Sequence, residues 1–542
     1  MGSRSWLEKM TEAAEAGGRL TVLQKGEPGE VPIADLLAVG RRKAAGLSSL
    51  GVARGDRVAA FAHTSYDFIA SCLAIWHAGG VVVSLPPPRQ LLASDVWERR
   101  VTSAIEAADV RLVVAPDADA RSLHVESREF ASIPSEEATL DLPEPADPAL
   151  IQFSSGTTRA PVGVLISHGA LTGQSEGIQA NRPSDPTRDH CVSWVPLYHD
   201  LGLLRCLFMP MTAGSSVTLL PTTSFVQDPG RWLLEISRRR GTFASAPNFG
   251  YALATRAALK GFDEPVDLSG WTASCGGELI DPNTLHRFFE ATERFGFEPS
   301  LFAPGYGLAE STCVVTAMKP GKGVLIDPVD RNELASGKAI PADPSSQGVV
   351  QLVSVGKALP GTKVRIVSDA GAVLDDREVG EVEASGPCLM DGYVGQGMLA
   401  IEDGWLHTGD RGYLVDEHLF ITGRIKDVIV IRGQNFYAED LERVAQDATG
   451  VRRGRCIAVG VVRDDTEGLV LAAETRLTDP GELQACRREI VRLLLRETEL
   501  APAEVRLLPP NSLPRSTSGK LQRGLFRQRL EAETDDGSRE SA

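Results

Sequence analysis

The sequence lacks the segments that would place the chain in or across a membrane. In its longest mostly apolar tract, residues 58–83, His63, Asp67, His77 and a pair of glycines interrupt the run, so we expect no membrane span. The N-terminal stretch MGSRSWLEKM has no apolar core of the kind that a secretory signal needs. The sequence therefore predicts a cytoplasmic protein.

Paired cysteines and an excess of positive charge are also missing. The 8 cysteines form no CxxC pair, which argues against a zinc module and fits a reducing compartment. The formal net charge of −16 disfavours nucleic acid as a partner. What the chain does have is 542 residues, of which 42% are hydrophobic, a composition typical of a globular protein with more than one core.

The order of apolar runs and turn signals predicts an α/β protein with two domains. Apolar runs alternate with helical patterns over residues 1–423, which predicts layered α/β subdomains followed by a β-rich subdomain. Residues at about 321–355, rich in proline and small polar side chains, are expected to form a loop-rich insertion. Residues 424–530 predict a small, mobile α+β domain, and the acidic tail 531–542 is predicted to be disordered.

A cluster of small and hydroxyl-bearing residues lies between two apolar runs at residues 151–168, IQFSSGTTRAPVGVLISH. Small residues let backbone N–H groups approach an anion closely, and hydroxyls add further donors. The Gly-Lys-Ser/Thr ending of the Walker loop is absent, and an ordinary surface loop remains an alternative. The residues predicted to hold phosphate are Ser154, Ser155, Gly156, Thr157 and Thr158.

Further motifs follow this loop in a fixed order: WVPLYHDLGLL, SAPNFGY, CGGELI, APGYGLAEST, GWLHTGD, GRIKDVIVIRGQNFYAEDLE and LPRSTSGKLQR. In order, spacing and wording they resemble the adenylate-forming superfamily of acyl-CoA synthetases, luciferases and peptide-synthetase adenylation domains. The wording is most like that of the fatty acyl-AMP ligases. The resemblance extends from about residue 50 to residue 529, which is nearly the whole chain.

The resemblance implies an enzyme that uses ATP and Mg²⁺ to convert a carboxylic acid, expected to be a fatty acid, into acyl-AMP and pyrophosphate. The acyl group would then pass to the phosphopantetheine thiol of an acyl carrier protein, because the insertion of this subfamily disfavours the reaction with CoA. Two alternatives stay open. One is an acyl-CoA ligase, and the other is a degenerate adenylate-binding protein with weak or no catalysis.

Catalytic roles are implied by the same resemblance. Lys520 would bridge the carboxylate and the α-phosphate, a contact whose loss typically costs about 10²–10³ in rate. Glu310 would hold Mg²⁺ together with Thr158, since this ion prefers oxygen ligands with phosphates completing its octahedron. His199 would lie beside the substrate carboxylate, with Asn248 close to it in the acyl site.

The remaining motifs would hold the nucleotide and admit the thiol. Tyr306 would stack on adenine, and the carboxylate of Asp410 would accept hydrogen bonds from both ribose hydroxyls. Lys426 matches the hinge of the superfamily, and Gly433 and Asn435 would line the thiol tunnel. The full set of implied ATP/AMP-binding positions beyond the phosphate loop is Gly276, Gly277, Glu278, Tyr306, Gly307, Asp410 and Arg424.

Two residues of the loop depart from the pattern of the superfamily, because Arg159 stands in place of the usual glycine and Val162 in place of the usual lysine. We expect Arg159 to substitute in part for the missing lysine. Removing its charge in Arg159→Ala should then raise the KM for ATP, by at most the roughly ten- to hundred-fold that one charged hydrogen bond contributes. Steady-state kinetics measure this KM, and an unchanged value would refute the hypothesis that Arg159 compensates for the missing lysine.

Overall fold

The structure is a computed structural model. It describes residues 5–23, 29–88, 94–120, 123, 125–137, 139–153, 162–397, 400–431, 434–463, 466–498, 500–516 and 520–539. The phosphate-loop positions 154–158, together with Arg159 and Gly433, lie outside the described residues. The α/β class predicted from the sequence is confirmed by the sheets and helices of the large domain.

A first sheet contains the strand–helix–strand unit that the sequence predicts. Strands Arg57–Phe61 and Val81–Leu85 pair in parallel across the helix Tyr66–His77. Their continuous buried apolar runs are typical of strands covered on both faces. The strand order is Gly392–Tyr393, Gly163–Ser167, Pro148–Phe153, Val81–Leu85, Arg57–Phe61, Leu112–Val114 and Ser127–Arg128.

A second sheet forms the other half of the large domain. Its central strands run in parallel, and antiparallel strands close both edges. Behind the strands, Trp232 contacts Trp271 edge to face and Tyr251 at a tilt, with ring centroids 5.4 and 5.6 Å apart. The strand order is Lys357–Ala358, Thr316–Ala317, Phe302–Tyr306, Thr272–Cys275, Phe243–Ala246, His190–Ser193, Ser216–Leu219, Arg19–Val22 and Gly29–Pro32.

The predicted β-rich subdomain is an antiparallel sheet of strands Lys363–Val367, Gly380–Ser385, Trp405–Val415, Ile401–Glu402 and His418–Arg424. The insertion differs from the prediction of a loop-rich segment. Strands Ile326–Asp330 and Val349–Val353 pair, and helix Arg331–Ala335 follows the first strand. Val329 and Leu334 are buried against Tyr413 and Phe420. The prediction failed because the two strands are short, and the proline and polar residues around them outnumber the alternating apolar residues.

The small domain has its own sheet and core. Strands Val451–Arg463 and Thr466–Thr475 pair antiparallel, and Glu504–Leu508 joins the second in parallel. Strands Val428–Ile431 and Gln434–Tyr437 form a separate hairpin at its start.

The acidic tail also differs from the prediction of disorder, because helix Arg523–Arg539 continues into it. Phe526 and Leu530 bury one side of this helix, and Arg506 forms an ion pair of 2.6 Å with Glu533. Low apolar content predicts disorder only where no neighbouring core holds the segment.

Helix starts follow local capping rules. Ser5 and Glu8 form a capping box at helix Trp6–Ala14, and Asp281 caps the helix that begins at Pro282. Among the described residues, no helix is long and apolar enough to cross a membrane. The remaining helices are Ile33–Ser49, Ser94–Ala107, Asp117–Ala120, His168–Asn181, Met209–Thr212, Thr222–Gln227, Gly230–Arg239, Asn248–Lys260, Pro282–Thr292, Ala438–Ala445 and Pro480–Thr498.

His168 makes the fold sensitive to acid. Its ring is fully buried beside Trp76, and neither ring nitrogen has a hydrogen-bond partner among the described residues. Burial lowers the pKa of His168 from 6.5 to about 4. The unfolded chain therefore binds the extra proton between these two values, and stability falls as the pH drops through this window.

Replacing His168 by phenylalanine should remove this part of the acid sensitivity, which amounts to about 2 kcal/mol at pH 5. The drop in thermal midpoint between pH 7.5 and pH 5 should be smaller in His168→Phe than in the unmodified protein. His286, an exposed histidine, offers the matched control, and His286→Phe should keep the full drop. Equal drops in all three proteins would contradict the assignment.

Candidate active site

The sequence motifs meet at one edge of the second sheet. Strands His190–Ser193, Phe243–Ala246, Thr272–Cys275 and Phe302–Tyr306 are neighbours and run in parallel. Each is followed at or just after its carboxyl end by one of the motifs, and in open α/β sheets ligands bind at this edge. The fold therefore collects residues that lie far apart in the sequence.

His199 and Asp200 lie at the start of a π-helix that borders the cleft. It spans Leu201–Phe208, directly after His199 and Asp200. The Nδ1 atom of His199 lies 2.6 Å from Oδ1 of Asp200, and the same oxygen accepts the backbone N–H of Leu201 at 2.7 Å. Asp200 thereby fixes the orientation of the imidazole, and short π-helical segments are frequent at functional sites.

Asp410 links the β-rich sheet to the cleft. Its Oδ2 accepts a hydrogen bond from the Tyr306 hydroxyl at 2.7 Å, and its Oδ1 lies 3.0 Å from Nε of Arg424. Asp410 and Arg424 face each other on paired strands. The Asp410 carboxylate raises the pKa of Arg424, and burial raises the pKa of Tyr306 well above its usual value. All three residues line the same cleft.

Glycines let the backbone pass closely around the cleft. A side chain at Gly276 would bring its Cβ within 2.6 Å of the Gly305 carbonyl oxygen, and one at Gly307 within 1.8 Å of the Cys313 carbonyl oxygen. Gly277 has a positive φ of 82°, a conformation that glycine adopts without strain. Gly276 and Gly307 therefore accept no larger residue without movement of the backbone, and at Gly277 a side chain would be strained by the positive φ alone.

Backbone N–H groups orient the side chains of Glu278 and Asn248 beside these glycines. Oε1 of Glu278 accepts the backbone N–H of Phe249 at 2.8 Å, and Oδ1 of Asn248 accepts the N–H of Asp281 at 3.3 Å. Burial raises the pKa of Glu278. Each of the two side chains is thus hydrogen-bonded to the backbone of the segment that carries the other.

Glu310 lies where the first sheet meets the second. Its Oε1 accepts a hydrogen bond from the Tyr393 hydroxyl at 3.0 Å. Tyr393 belongs to a short strand whose partner is strand Gly163–Ser167, which follows the phosphate loop. Glu310 is therefore held beside the segment that leads out of this loop.

Lys520 reaches the cleft from the small domain. Burial lowers the pKa of Lys520, and the Asp200, Glu278 and Asp410 carboxylates oppose this effect. The turn that carries Lys520 is closed by hydrogen bonds in both directions between its backbone and Ser516, at 2.8 and 3.1 Å. The ammonium therefore sits in a field of carboxylates that belong to the large domain.

Arg523 joins the lysine-bearing segment to residues in and after the 3₁₀ turn Ile425–Asp427, where the hinge is predicted. Its guanidinium forms ion pairs with Asp427, Glu439 and Glu442 at 2.9, 2.6 and 2.7 Å. Burial raises the pKa of Glu439 to about 7. Lys426 is exposed in the 3₁₀ turn Ile425–Asp427 beside this network.

The insertion also contacts the small domain. Nε of Arg331 lies 2.6 Å from Oδ2 of Asp440, and Arg331 donates a further hydrogen bond to the Glu497 carbonyl. Arg443 donates to the carbonyl of Gln351 at 3.0 Å. These contacts hold the small domain in the orientation that presents Lys520.

The predicted site residues mostly meet in one cleft of about 1660 Å³. Asn435 lies in the strand Gln434–Tyr437, and the phosphate loop and Gly433 lie outside the described residues. The cleft residues predicted from the sequence are His199, Asn248, Gly276, Gly277, Glu278, Tyr306, Gly307, Glu310, Asp410, Arg424, Lys426 and Lys520.

Several side chains of the site were not predicted from the sequence. Asp200 and Arg523 belong to motifs that the sequence analysis identified. Asp200 is adjacent to His199 and Arg523 is three residues from Lys520, so their charges could have marked them as site residues. Tyr393 and Arg331 lie outside the motifs, and only the fold brings them to Glu310 and Asp440.

The motifs lie in loops at the carboxyl ends of parallel strands, and a lysine from a small second domain reaches the same cleft. This arrangement defines an adenylate-forming enzyme. Residues 11–394 match the family described as AMP-binding enzyme. The chain belongs to this family.

Relatives and solved structures resemble the chain over most of its length. A putative acyl-CoA synthetase of Caulobacter vibrioides is 33% identical over 88% of this chain and 86% of its own length. A 4-hydroxyphenylalkanoate adenylyltransferase of Mycobacterium tuberculosis is 32% identical over 86% of this chain and 81% of its own. A structure from a study of fatty acyl-adenylate ligases of E. coli and L. pneumophila matches with a TM-score of 0.90 and 32% identity, covering 99% of this chain and 98% of that one.

Loss of the Arg331 contact should loosen the small domain. In Arg331→Met, Asp440 loses one of its two arginine partners, and breaking such a buried pair typically costs about 3–5 kcal/mol. We expect faster protease cleavage between residues 424 and 428, measured by limited digestion and mass spectrometry. Arg496 offers the matched control, because among the described residues it pairs only with the adjacent Glu497, at 2.6 Å. The protease should cleave the Arg496→Met variant at the same rate as the unmodified protein. Equal rates for both variants would contradict the role of Arg331.

Proposed function

We propose that the protein activates a carboxylic acid of the fatty-acid class as acyl-AMP and then transfers the acyl group to the phosphopantetheine thiol of an acyl carrier protein. The observation that carries this proposal is that Lys520 of the small domain lines the same cleft as Asp200, Glu278 and Asp410, whose charges favour its protonated form. A buried ammonium at this point can stabilise negative charge that grows on the reacting groups.

In the first step, a carboxylate oxygen of the acid attacks the α-phosphorus of ATP, and the bond from this phosphorus to the bridging oxygen breaks. Pyrophosphate leaves with the bond's electron pair. Lys520 would contact both the carboxylate and the α-phosphate, so that its charge offsets theirs in the transition state. His199, fixed by Asp200, would orient the carboxylate, and Asn248 would lie close to it.

The nucleotide would be bound by groups that the fold already orients. Asp410 would accept hydrogen bonds from the ribose hydroxyls with support from Arg424, and the ring of Tyr306 would stack on adenine. The backbone at Gly276, Gly277 and Gly307, with the Glu278 side chain, would line the base and the sugar. The phosphate loop, residues 154–158, would hold the β- and γ-phosphates.

The donor set fits a magnesium ion that arrives with ATP. No group of three or more metal-binding side chains occurs in the part of the chain that the structure describes, but Mg²⁺ is typically held by one or two carboxylates plus phosphate oxygens and water. Glu310, with Thr158, would hold the ion, which neutralises phosphate charge when bound. Tyr393 keeps the Glu310 carboxylate in place through its hydrogen bond.

In the second step the carrier thiol, as thiolate, would attack the acyl carbonyl, and AMP would leave. Rotation at Lys426 would withdraw Lys520, and Gly433 and Asn435 would line the path of the thiol. A CoA thioester is the alternative product, because a relative 33% identical to the chain is named a putative acyl-CoA synthetase. The contacts of the insertion with the small domain, through Arg331 and Gln351, support a restricted rotation and hence the carrier protein.

The first step predicts acid-dependent release of pyrophosphate, measured with a panel of aliphatic and aromatic acids. Lys520→Met should slow this release by about 10²–10³, because the charge on the reacting groups then lacks its partner. Lys363 is exposed on the β-rich sheet and does not line the cleft, so Lys363→Met is the matched control and should keep the full rate.

An equal rate in Lys520→Met and the unmodified protein would overturn the mechanism, and absence of release with every acid would favour a degenerate binding protein. Adding CoA or a holo carrier protein to the acid that works best then separates the acceptors. We expect the acyl-carrier thioester by mass spectrometry, and an acyl-CoA product alone would select the alternative ligase.

A further inference from the structure

An arginine side chain lines the part of the cleft in which an acyl chain would lie. Arg205 belongs to the π-helix Leu201–Phe208, whose start adjoins His199 and Asp200. Its guanidinium lies over the ring of Phe243, with 4.0 Å from the central carbon to the ring centroid. Arg205 is partly buried and lines the same cleft as Lys520. The wall of the cleft is therefore charged at this point.

The charge of Arg205 has no carboxylate partner within the described ranges, where no ion pair involves it. The nearby guanidinium of Arg182 is already satisfied, because both of its terminal nitrogens bond to Asp189, at 3.0 and 3.2 Å. Burial lowers the pKa of Arg205, which reflects the cost of holding a cation away from water. The stacking on Phe243 offsets only part of this cost.

The charged or polar neighbours of Arg205 are thiols and not carboxylates. Burial raises the pKa of Cys191 and of Cys313 well above the usual value. The Cys206 thiol donates a hydrogen bond of 3.9 Å to the carbonyl oxygen of Ser245, and its hydrogen bond with Cys191 and the charge of Arg205 lower its pKa. Arg205 therefore lines the cleft with no carboxylate partner among the described residues.

The position of Arg205 fits the far end of a bound acid. His199 and Arg205 are six residues apart, so at about 1.5 Å of rise per helical residue their backbones are separated by at most about 9 Å along the axis. Ile178, Val314 and Leu359 line the same cleft with apolar side chains. An acid whose carboxylate meets His199 and Lys520 would run past apolar walls towards Arg205.

We propose that Arg205 binds a second carboxylate at the far end of the substrate, so that the preferred acid is an aliphatic dicarboxylic acid. This inference rests on the proposed function and specifies its substrate. A monocarboxylic fatty acid would place a methyl group against the guanidinium and leave the charge unpaired. A dicarboxylic acid supplies the missing anion and keeps the apolar contacts of the chain.

The test compares acids of equal length that differ in their second carboxylate. Pyrophosphate release is measured with suberic acid, octanoic acid and monomethyl suberate, and with the adipic–hexanoic and sebacic–decanoic pairs. We expect kcat/KM to favour the dicarboxylic acid of the best pair by about 10- to 100-fold, the size of one charged hydrogen bond. The monomethyl ester should behave like the monocarboxylic acid.

Variants of Arg205 should change this preference and not merely the rate. In Arg205→Met the preference should shift to the monocarboxylic acid, whereas Arg205→Lys, which keeps a positive charge, should retain part of the original ratio. Arg188 is exposed and does not line the cleft, so Arg188→Met is the matched control with an unchanged ratio. A ratio that is the same in Arg205→Met and the unmodified protein overturns the proposal, as does an unmodified protein that prefers octanoic acid.

A binding measurement separates this proposal from the proposed function. Calorimetry compares two stable adenylate analogues, the sulfamoyl-adenosine derivatives of suberic and octanoic acid. Tighter binding of the suberic derivative by about 10- to 100-fold, lost in Arg205→Met, supports the role of Arg205 even if no acid releases pyrophosphate. Equal binding of both derivatives overturns it even if octanoic acid is activated.

Discussion

The site depends on one electrostatic arrangement, the ammonium of Lys520 held among carboxylates of the other domain. Neither domain supplies both charges, so the arrangement exists only while the small domain is docked. Burial works against the charged lysine, and Asp200, Glu278 and Asp410 work in its favour. The contacts of Arg523 with the hinge region and of Arg331 with Asp440 hold the docked orientation. Local ion pairs at the domain junction therefore control the geometry of the reacting centre.

The position of the site follows from the topology of the second sheet. Parallel strands of the second sheet end at one edge, and their loops bring His199, Asn248, Glu278 and Tyr306 together. The antiparallel sheet then presents Asp410 to Tyr306 with a hydrogen bond of 2.7 Å. The large domain thus contributes several polar groups at strand ends, while the small domain contributes the charge of Lys520. This division suits the proposed mechanism, in which Lys520 acts in the first step and is withdrawn before the second.

Much of this architecture could be predicted from the sequence, since short motifs and apolar periodicity are local properties. The unit at residues 57–85 and the helix that begins at Ala438 follow directly from such patterns. Contacts between distant segments could not be predicted in this way. The hairpin inside the insertion, the helix through the acidic tail, and the meeting of Glu310 with Tyr393 all depend on neighbours far along the chain. Arg205 could not be singled out from the sequence, because the absence of a carboxylate partner for it among the described residues is a property of the fold.

The central claim is that the ammonium of Lys520 lies among the carboxylates of the large domain, whose charges act on it. Zero-length carbodiimide cross-linking of the full chain, followed by peptide mass spectrometry, tests this placement directly, because it joins an amine only to a carboxylate that it can reach. The account predicts an amide between Lys520 and one of Asp200, Glu278 and Asp410. Cross-links of Lys520 confined to residues of the small domain would contradict it.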